Sequence, residues 1–473
     1  MYQIDYKNPV HVHFCGIGGI SMSGLASVLL GRGFTVTGSD AKLSPLTELL
    51  VRQGAKVFCP QSAENISKDI DVMVCTAAIH PDNPEYAAAL SAGIPILTRA
   101  QLLGQIMEHY ENSVAVSGTH GKTTVTSMLS CILLSADLDP TISVGGILKE
   151  IGGNIRVGRS ENFITEACEY TNSFLSLKPK IGLILNIDAD HLDFFKDLDD
   201  IRHSFHRFAQ NIKEGGTLIL NGAIPHPEEI TEGICARVIT YGTEDTDYAA
   251  GEITYDAFGA GTFHVFRHGE DLGCFTLHVP GKHNVSNAVC AIAAADQMGI
   301  AMEHCRKGLD AFHGADRRFE IKGTLRNGAV VIDDYAHHPT EIRATLEAAG
   351  NYPHKKIWCV FQPHTYTRTK ALMNGFADAL SIADEVVLAP IYAARETDNL
   401  GISSDTLRQN IANRGTDAWY FPDFERIENF LLQHAGNGDL VITVGAGDVV
   451  RVGEEMLAKD AEMLAKDAEG RTE

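Results

Sequence analysis

Apolar positions fall in short continuous runs that alternate with helix-spaced stretches. Residues 10–14 form one such run, bracketing His11 and His13, and lead directly into Gly16, Gly18 and Gly19, as a buried parallel strand leads into a helix. Helical spacing continues to Leu30, a second strand through Val36 ends at Ser39 and Asp40, and 72–76 has the pattern of a third. This alternation predicts a doubly wound α/β sheet. A second alternation starts near Ser113, with a strand over 114–117, a glycine-rich loop, a helix carrying Met128, Leu129, Ile132 and Leu133, and a later buried strand over 181–187. Runs at 329–332, 356–361, 385–388 and 440–444 predict four strands of a third α/β domain. The expected division is 1–100, 101–313 and 314–455. A seven-residue unit, Met-Leu-Ala-Lys-Asp-Ala-Glu, occurs at 456–462 and again at 463–469. It is helical by propensity, but two units are too few for a coiled coil. Residues 456–473 are therefore expected to form a duplicated tail with a frayed end, dispensable for activity.

Composition narrows the class. A chain of 473 residues with 44% hydrophobic residues is too long for one core and well able to form several. Against 61 acidic residues stand 39 basic ones, a formal charge of -22, so no general basic surface exists for nucleic acid. No apolar run approaches the roughly 20 residues that span a bilayer, and a cytoplasmic protein, monomer or homodimer, with no membrane partner is expected. Ten cysteines occur as singlets with no CxxC pair, which reads as reduced core thiols rather than zinc ligands or disulfides.

The strongest chemical signal is Gly118, Thr119, His120, Gly121, Lys122, Thr123 and Thr124, set between a strand and a helix. Glycines let backbone N–H groups close on phosphate oxygens, Lys122 supplies a point charge, and a threonine hydroxyl can ligate magnesium. The expected ligand is ATP with Mg2+. Two acidic clusters near predicted strand ends, Glu166 with Glu169 and Asp188 with Asp190 and His191, suit such metal ions. Gly16, Gly18 and Gly19 with Asp40 imitate a dinucleotide fingerprint, but Ser21 stands at the third glycine position, so the run predicts only a diphosphate on a helix N-terminus. In GKHNVSNA, His283, Asn284 and Asn287 either read a base edge or cap a helix. Asp333, Asp334, Tyr335, His337 and His338 end one predicted strand, and Arg368 and Lys370 follow another, as in a ligand crevice.

Taken together, GIGGISMSG, GTHGKTT, EACEYTNSF, NIDADHLD, HNVSNA, GADRRFE, DDYAHHPTE, QPHTYTRT and VGAGD, in this order over roughly residues 8–453, resemble the Mur ligase family. The resemblance implies a Rossmann-like N-terminal domain for a UDP-sugar, a central P-loop ATPase domain and a C-terminal Rossmann-like α/β domain that brings the amino acid. It implies that ATP activates the carboxylate of UDP-N-acetylmuramate and that L-alanine takes the acyl group, in peptidoglycan precursor synthesis. Matched motif by motif, Thr123 and Glu166 would hold one magnesium and His191 a second. Asn284 and Asn287 would face adenine, Arg318 the γ-phosphate and Asp334 the ribose. Tyr335, His337 and Arg368 would line the amino acid's approach, while Gly16, Gly18, Gly19, Ser21, Ser23, Asp40, Thr76 and Arg99 would hold the UDP-sugar. Lys122, Glu166, His191 and His337 are the expected catalytic set. Many relatives carry EADESD where this chain has Glu166 to Thr171, so Cys168 and Thr171 stand in place of aspartates. No lysine lies in 201–208 for the carbamate some members use. A tripeptide-adding recycling ligase is the nearest alternative; an NAD-dependent dehydrogenase would leave the Lys122 loop without a purpose.

Overall fold

The computed structural model describes residues 1–469 apart from 77, 193, 243–244 and 395, with side chains to Met463. The chain divides into two compact units. The first comprises Met1–Ile187, Ile201–Tyr248 and Cys290–Gly308, and the second Asp188–Asp200, Ala249–Val289 and Leu309–Glu473.

The first unit opens with β1 (His11–Cys15), β2 (Thr35–Ser39), β3 (Lys56–Phe58), β4 (Val72–Cys75) and β5 (Ile96–Thr98), ordered β3-β2-β1-β4-β5. All pairs are parallel. Helices cover both faces of such a sheet, so its strands are apolar throughout: Val12, Phe14, Val72 and Val74 are fully buried. His13, also buried, is a core residue, bonded to Thr37 Oγ1 at 2.9 Å and facing Glu85 at 3.4 Å. Strand order reverses between β1 and β4, and the crevice at their carboxyl ends is where open α/β sheets bind ligands.

The same unit contains β6 (Asn112–Ser117), β7 (Thr141–Leu148), β8 (Gly153–Arg156), β9 (Asn162–Glu166), β10 (Ile181–Ile184), β11 (Thr217–Asn221) and β12 (Arg237–Gly242). They run in the order β12-β11-β10-β6-β9-β7-β8. Only the edge pair β7 and β8 is antiparallel. The strand expected over 181–187 ends at Ile184; beyond it the Leu185 N–H donates to the Ser117 carbonyl and the Asn186 carbonyl accepts the Thr119 N–H, at the phosphate loop.

The second unit holds an antiparallel pair, for which β13 (Tyr248–Tyr255) precedes β14 (Ala260–Arg267) and β15 (Glu270–Pro280) in the chain. Its larger sheet comprises β16 (Glu320–Thr324), β17 (Val330–Asp334), β18 (Ile357–Phe361), β19 (Glu385–Leu388), β20 (Asp417–Tyr420) and β21 (Leu440–Val444), ordered β16-β17-β21-β18-β19-β20. Ile332, Cys359, Phe361, Val386 and Ile442 form one buried face, and Val331, Trp358, Val360, Val387 and Val441 the other.

A final helix spans Val450–Glu469. The first heptad of the tail is not a free end. Met456 is fully buried with Val331 and Trp358, Lys459 pairs with Glu428, and Asp460 accepts from the Arg326 backbone N–H at 2.7 Å. The expectation of a frayed end beginning at residue 456 is therefore corrected. Residues 470–473 lie outside the described residues. Among the described residues no helix is long and apolar enough to cross a membrane.

Candidate active site

In the first unit β6 delivers the chain into the phosphate loop. Gly118 (φ 141°) and Gly121 (φ 84°) adopt left-handed backbone that side chains disfavour, and a Cβ on Gly118 would lie 2.9 Å from Leu185 Cβ. Gly121 caps the helix Lys122–Ser135, so the helix's unsatisfied N–H groups open onto the loop. Asn186 pins the loop from below: its Oδ1 accepts from the His120 N–H at 2.7 Å and its Nδ2 donates to the His120 carbonyl at 3.1 Å. Asn186 was missed by the sequence reading, since nothing local marks a two-way contact with a loop 66 positions away.

Lys122 folds back over its own loop. Its Nζ donates to the carbonyls of Gly118 and Thr119 and to Glu169 Oε2 at 2.9 Å. Burial alone would lower its pKa, but Glu169, Cys168 and Glu166 hold it above the usual lysine value, so the ammonium stays charged. The two acids of this cluster thus divide. Glu169 serves Lys122, whereas Glu166, at the end of β9, accepts the Gly145 N–H through Oε1 at 2.6 Å. A Cβ on Gly145 would lie 2.6 Å from Glu166 Oε2, so glycine is what admits the carboxylate; the Gly145-Gly146 pair inside a strand pattern was the available signal.

Glu166 and Arg99 line one cavity of ≈ 280 Å³, with Ser21, Ser143, Asn154 and Cys168 among its walls. Arg99 donates to Ser21 Oγ at 3.1 Å. Gly16 and Thr76 meet at the β1/β4 crevice, where a Cβ on Gly16 would stand 2.7 Å from Thr76 Cγ2. Asp40 does not project freely. Its Oδ2 accepts the Gly18 N–H at 2.8 Å, and a Cβ on Gly18 would sit 2.9 Å from that oxygen. The helix Ile20–Gly31 starts at Gly19. Ser23 is buried, its hydroxyl donating to the Ile20 carbonyl at 2.9 Å.

The residues fit magnesium. Thr123 is the second residue of the loop helix, and Glu166 Oε2 has no hydrogen-bond partner among the described residues. A hydroxyl and a hard carboxylate oxygen suit an ion that completes its shell with water and phosphate oxygens. Among the described residues no group of three or more His, Cys, Asp or Glu is arranged to hold a metal.

The second unit gathers the remaining candidates. Asn284 donates to the Pro280 carbonyl at 2.7 Å, and Asn287 donates to Asn284 Oδ1 at 3.1 Å, a chain of amides at the start of the helix Lys282–Gln297. Asp334 ends β17 and accepts from the Phe319 and Ala336 N–H groups at 2.9 and 2.8 Å. Burial lifts its pKa to about 6 against the pull of Arg318 and those N–H groups. The Tyr335 ring lies against Arg317 and Arg318, whose guanidinium carbons are 4.9 and 5.4 Å from its centroid. His337 Nδ1 lies 3.0 Å from the Tyr335 carbonyl, and its backbone N–H donates to Glu341.

Around Arg368 the structure assembles Asp190 with His364, Tyr392 and Glu396, three residues that the sequence reading did not single out. Arg368 contacts Asp190 and His364, and the His364 ring stacks on Tyr392 with centroids 5.5 Å apart. Glu396 accepts from the Tyr366 and Thr367 N–H groups, which open the helix Tyr366–Ala371. His191 stands in left-handed backbone (φ 54°) beside Asp190. Burial, Arg368 and His337 depress the His364 pKa to about 4. The unfolded chain, with a histidine near 6.5, takes up this proton first, so this group's contribution to stability is lost as pH falls from about 6.5 toward 4. An NMR titration of the imidazole is expected to show a midpoint near 4; one near 6.5 contradicts the packing described.

A model described as "Mur ligase family, catalytic domain" matches residues 11–111, "Mur ligase middle domain" matches 116–295, and "Mur ligase, glutamate ligase domain" matches 317–447. The chain belongs to the Mur ligase family. Among its Mur ligase relatives, the UDP-N-acetylmuramate--L-alanine ligase of Lachnospira eligens is 58% identical over 97% of this chain and 100% of its own length. The crystal structure of UDP-N-acetylmuramate-alanine ligase from Thermotoga maritima superposes with a TM-score of 0.79 at 28% identity, over 96% of this chain and 99% of that one. A murein peptide ligase from Psychrobacter arcticus shares the fold, with a TM-score of 0.70 at 24% identity over 95% of this chain and 98% of that one.

Proposed function

We propose that this enzyme joins L-alanine to the carboxylate of UDP-N-acetylmuramate at the expense of ATP, releasing ADP and phosphate. The observation that carries the ATP-dependent half is the Gly118–Gly121 loop with a charged, half-buried Lys122 at the helix start. The choice of sugar nucleotide and amino acid is supported by the relatives named for those substrates and similar over the whole chain.

In this reading a muramyl carboxylate oxygen attacks the γ-phosphorus and the bond to ADP breaks. The amine of L-alanine then adds to the acyl phosphate carbon, phosphate leaves, and the nitrogen loses its proton. Charge stabilisation dominates such a transfer. Gly118, Thr119, His120, Gly121 and Thr124 offer the phosphates their loop, and Lys122 moves from Glu169 to the transferring phosphoryl. Thr123 and Glu166 would hold one magnesium and His191 a second, which neutralise phosphate charge. Asn284 and Asn287 face adenine, Asp334 the ribose and Arg318 the γ-phosphate. Gly16, Gly18, Gly19, Ser21, Thr76 and Arg99 bind the sugar nucleotide, with Asp40 holding their loop in shape. Tyr335, His337 and Arg368 receive the amino acid, Arg368 gripping its carboxylate. The functional division is 1–100, 101–313 and 314–455, in a cytoplasmic monomer or homodimer.

ADP release with ATP, magnesium and UDP-N-acetylmuramate is expected to be fastest with L-alanine, against glycine, L-serine, the free tripeptide or no acceptor, and to yield the UDP-muramoyl-alanine mass. Turnover with the tripeptide alone would reassign the enzyme to recycling. Glycine differs from alanine by one methyl, worth about 1 to 3 kcal/mol, so slow turnover of glycine is expected.

A further inference from the structure

Arg368 is held at two of its three nitrogens. Its Nε donates to Asp190 Oδ1 at 3.0 Å, and its Nη1 meets His364 Nδ1 at 3.1 Å. The two side chains of the ion pair are only 11% and 5% exposed. A guanidinium is planar, so contacts at Nε and Nη1 together fix its plane. Nη2 has no partner among the described residues, which leaves the edge between Nη1 and Nη2 able to take a carboxylate. The surroundings are otherwise rich in imidazole: His191, His337 and His338 all act on the Asp190 carboxylate, which burial would push up and these groups with Arg368 hold well below the usual range. The carboxylate is itself anchored. Asp190 Oδ1 also accepts the His191 N–H at 2.7 Å, and His338 Nε2 lies 3.3 Å from the Ala189 carbonyl.

We propose that Asp190 is a positioning residue for the amino-acid step: it sets the plane of Arg368 so that the Nη1–Nη2 edge is presented to the carboxylate of the incoming substrate. It acts through Arg368 and touches no reacting atom. The proposal rests on the assignment of Arg368 to that carboxylate. Without Asp190 the arginine keeps its charge but loses the contact that orients it, and a carboxylate fork tolerates only about 10–20° of misplacement.

The test is steady-state kinetics of the full chain with each substrate varied in turn. Asp190→Asn is expected to raise KM for L-alanine by about tenfold or more, with KM for ATP and for UDP-N-acetylmuramate within about twofold of the wild type. Arg368→Lys, which removes the fork, is expected to raise KM for L-alanine as well. The double variant should be no worse than Arg368→Lys alone, because the two act as one unit. Asp190→Glu, which keeps the charge but displaces it by one methylene, should fall between wild type and Asp190→Asn, and carries the test if Asp190→Asn does not fold by circular dichroism. An unchanged KM for L-alanine in the foldable Asp190 variant, or additive losses in the double variant, overturns the proposal. So does a fall in kcat with a raised magnesium requirement and unchanged KM for L-alanine, which would place the action of Asp190 on His191. If Arg368→Lys itself leaves KM for L-alanine unchanged, the assignment of Arg368 fails and takes the proposal with it, an outcome read from that single variant alone.

Discussion

Lys122→Ala is expected to abolish ligation and to weaken the fold at the same time. Loss of the charge that meets the transferring phosphoryl should lower single-turnover ADP formation by about a thousandfold or more, the scale of removing a preorganised electrostatic partner. The second effect comes from Glu169, which is 2% exposed and paired with Lys122. Removing one partner of a buried pair costs about 3–5 kcal/mol. Adding Glu169→Gln to Lys122→Ala is therefore expected to restore much of the stability measured by urea unfolding and none of the turnover. Turnover within tenfold of wild type in Lys122→Ala would mean that the loop does not hold the transferring phosphate. Stability unchanged in that variant would mean that the pair with Glu169 does not persist in solution.

Ending the chain after residue 455 is expected to destabilise the second unit strongly, and ending it after residue 463, which keeps Met456, Lys459 and Asp460, is expected to cost far less. The shorter chain loses Met456 from a fully buried position in the core of the β16–β21 sheet, a deletion of the size that costs about 2–5 kcal/mol. It also strips Lys459 from Glu428, which is 1% exposed, and Asp460 from Arg326, whose backbone N–H and Nε it accepts at 2.7 and 3.0 Å. Leu457 lies against Gly323, where a Cβ would approach its Cδ2 to 3.1 Å. Met463, by contrast, is 50% exposed. Urea midpoints for the two truncations and the full chain separate these cases. Equal midpoints for all three would show that the terminal helix is not docked in solution.

Met456 and Met463 hold the same place in the two identical halves of the tail repeat but differ in environment, 0% against 50% exposed, and this contrast shows where sequence reading stops. Propensity and period predict a helix for both units. That Met456 packs is decided by where β17 and β18 place Val331 and Trp358, 125 and 98 residues before it. The same boundary runs through the site. Strands over 385–388 and 440–444 and the phosphate loop were legible because strand, turn and helix signals are local, written in apolar runs and in glycines that alone tolerate positive φ. The motif order was enough to indicate the family. Partners were not legible. Glu166 and Glu169, three positions apart, go to different tasks, one against Gly145 and the other against Lys122. Asn186, Glu396 and His364 carry no signature of their own, and Asp40 and Ser23 fit a binding motif yet spend their polar atoms within the fold.

The alternation of strands and helices, the loop that can hold phosphate and the family were thus written in local residue patterns. Which carboxylate meets which cation, and that Met456 of the tail belongs to the core, follow from the packing of distant elements. Hydrogen bonds and ion pairs act over about 3 Å, and the residues that make them here are separated by tens to hundreds of positions along the chain.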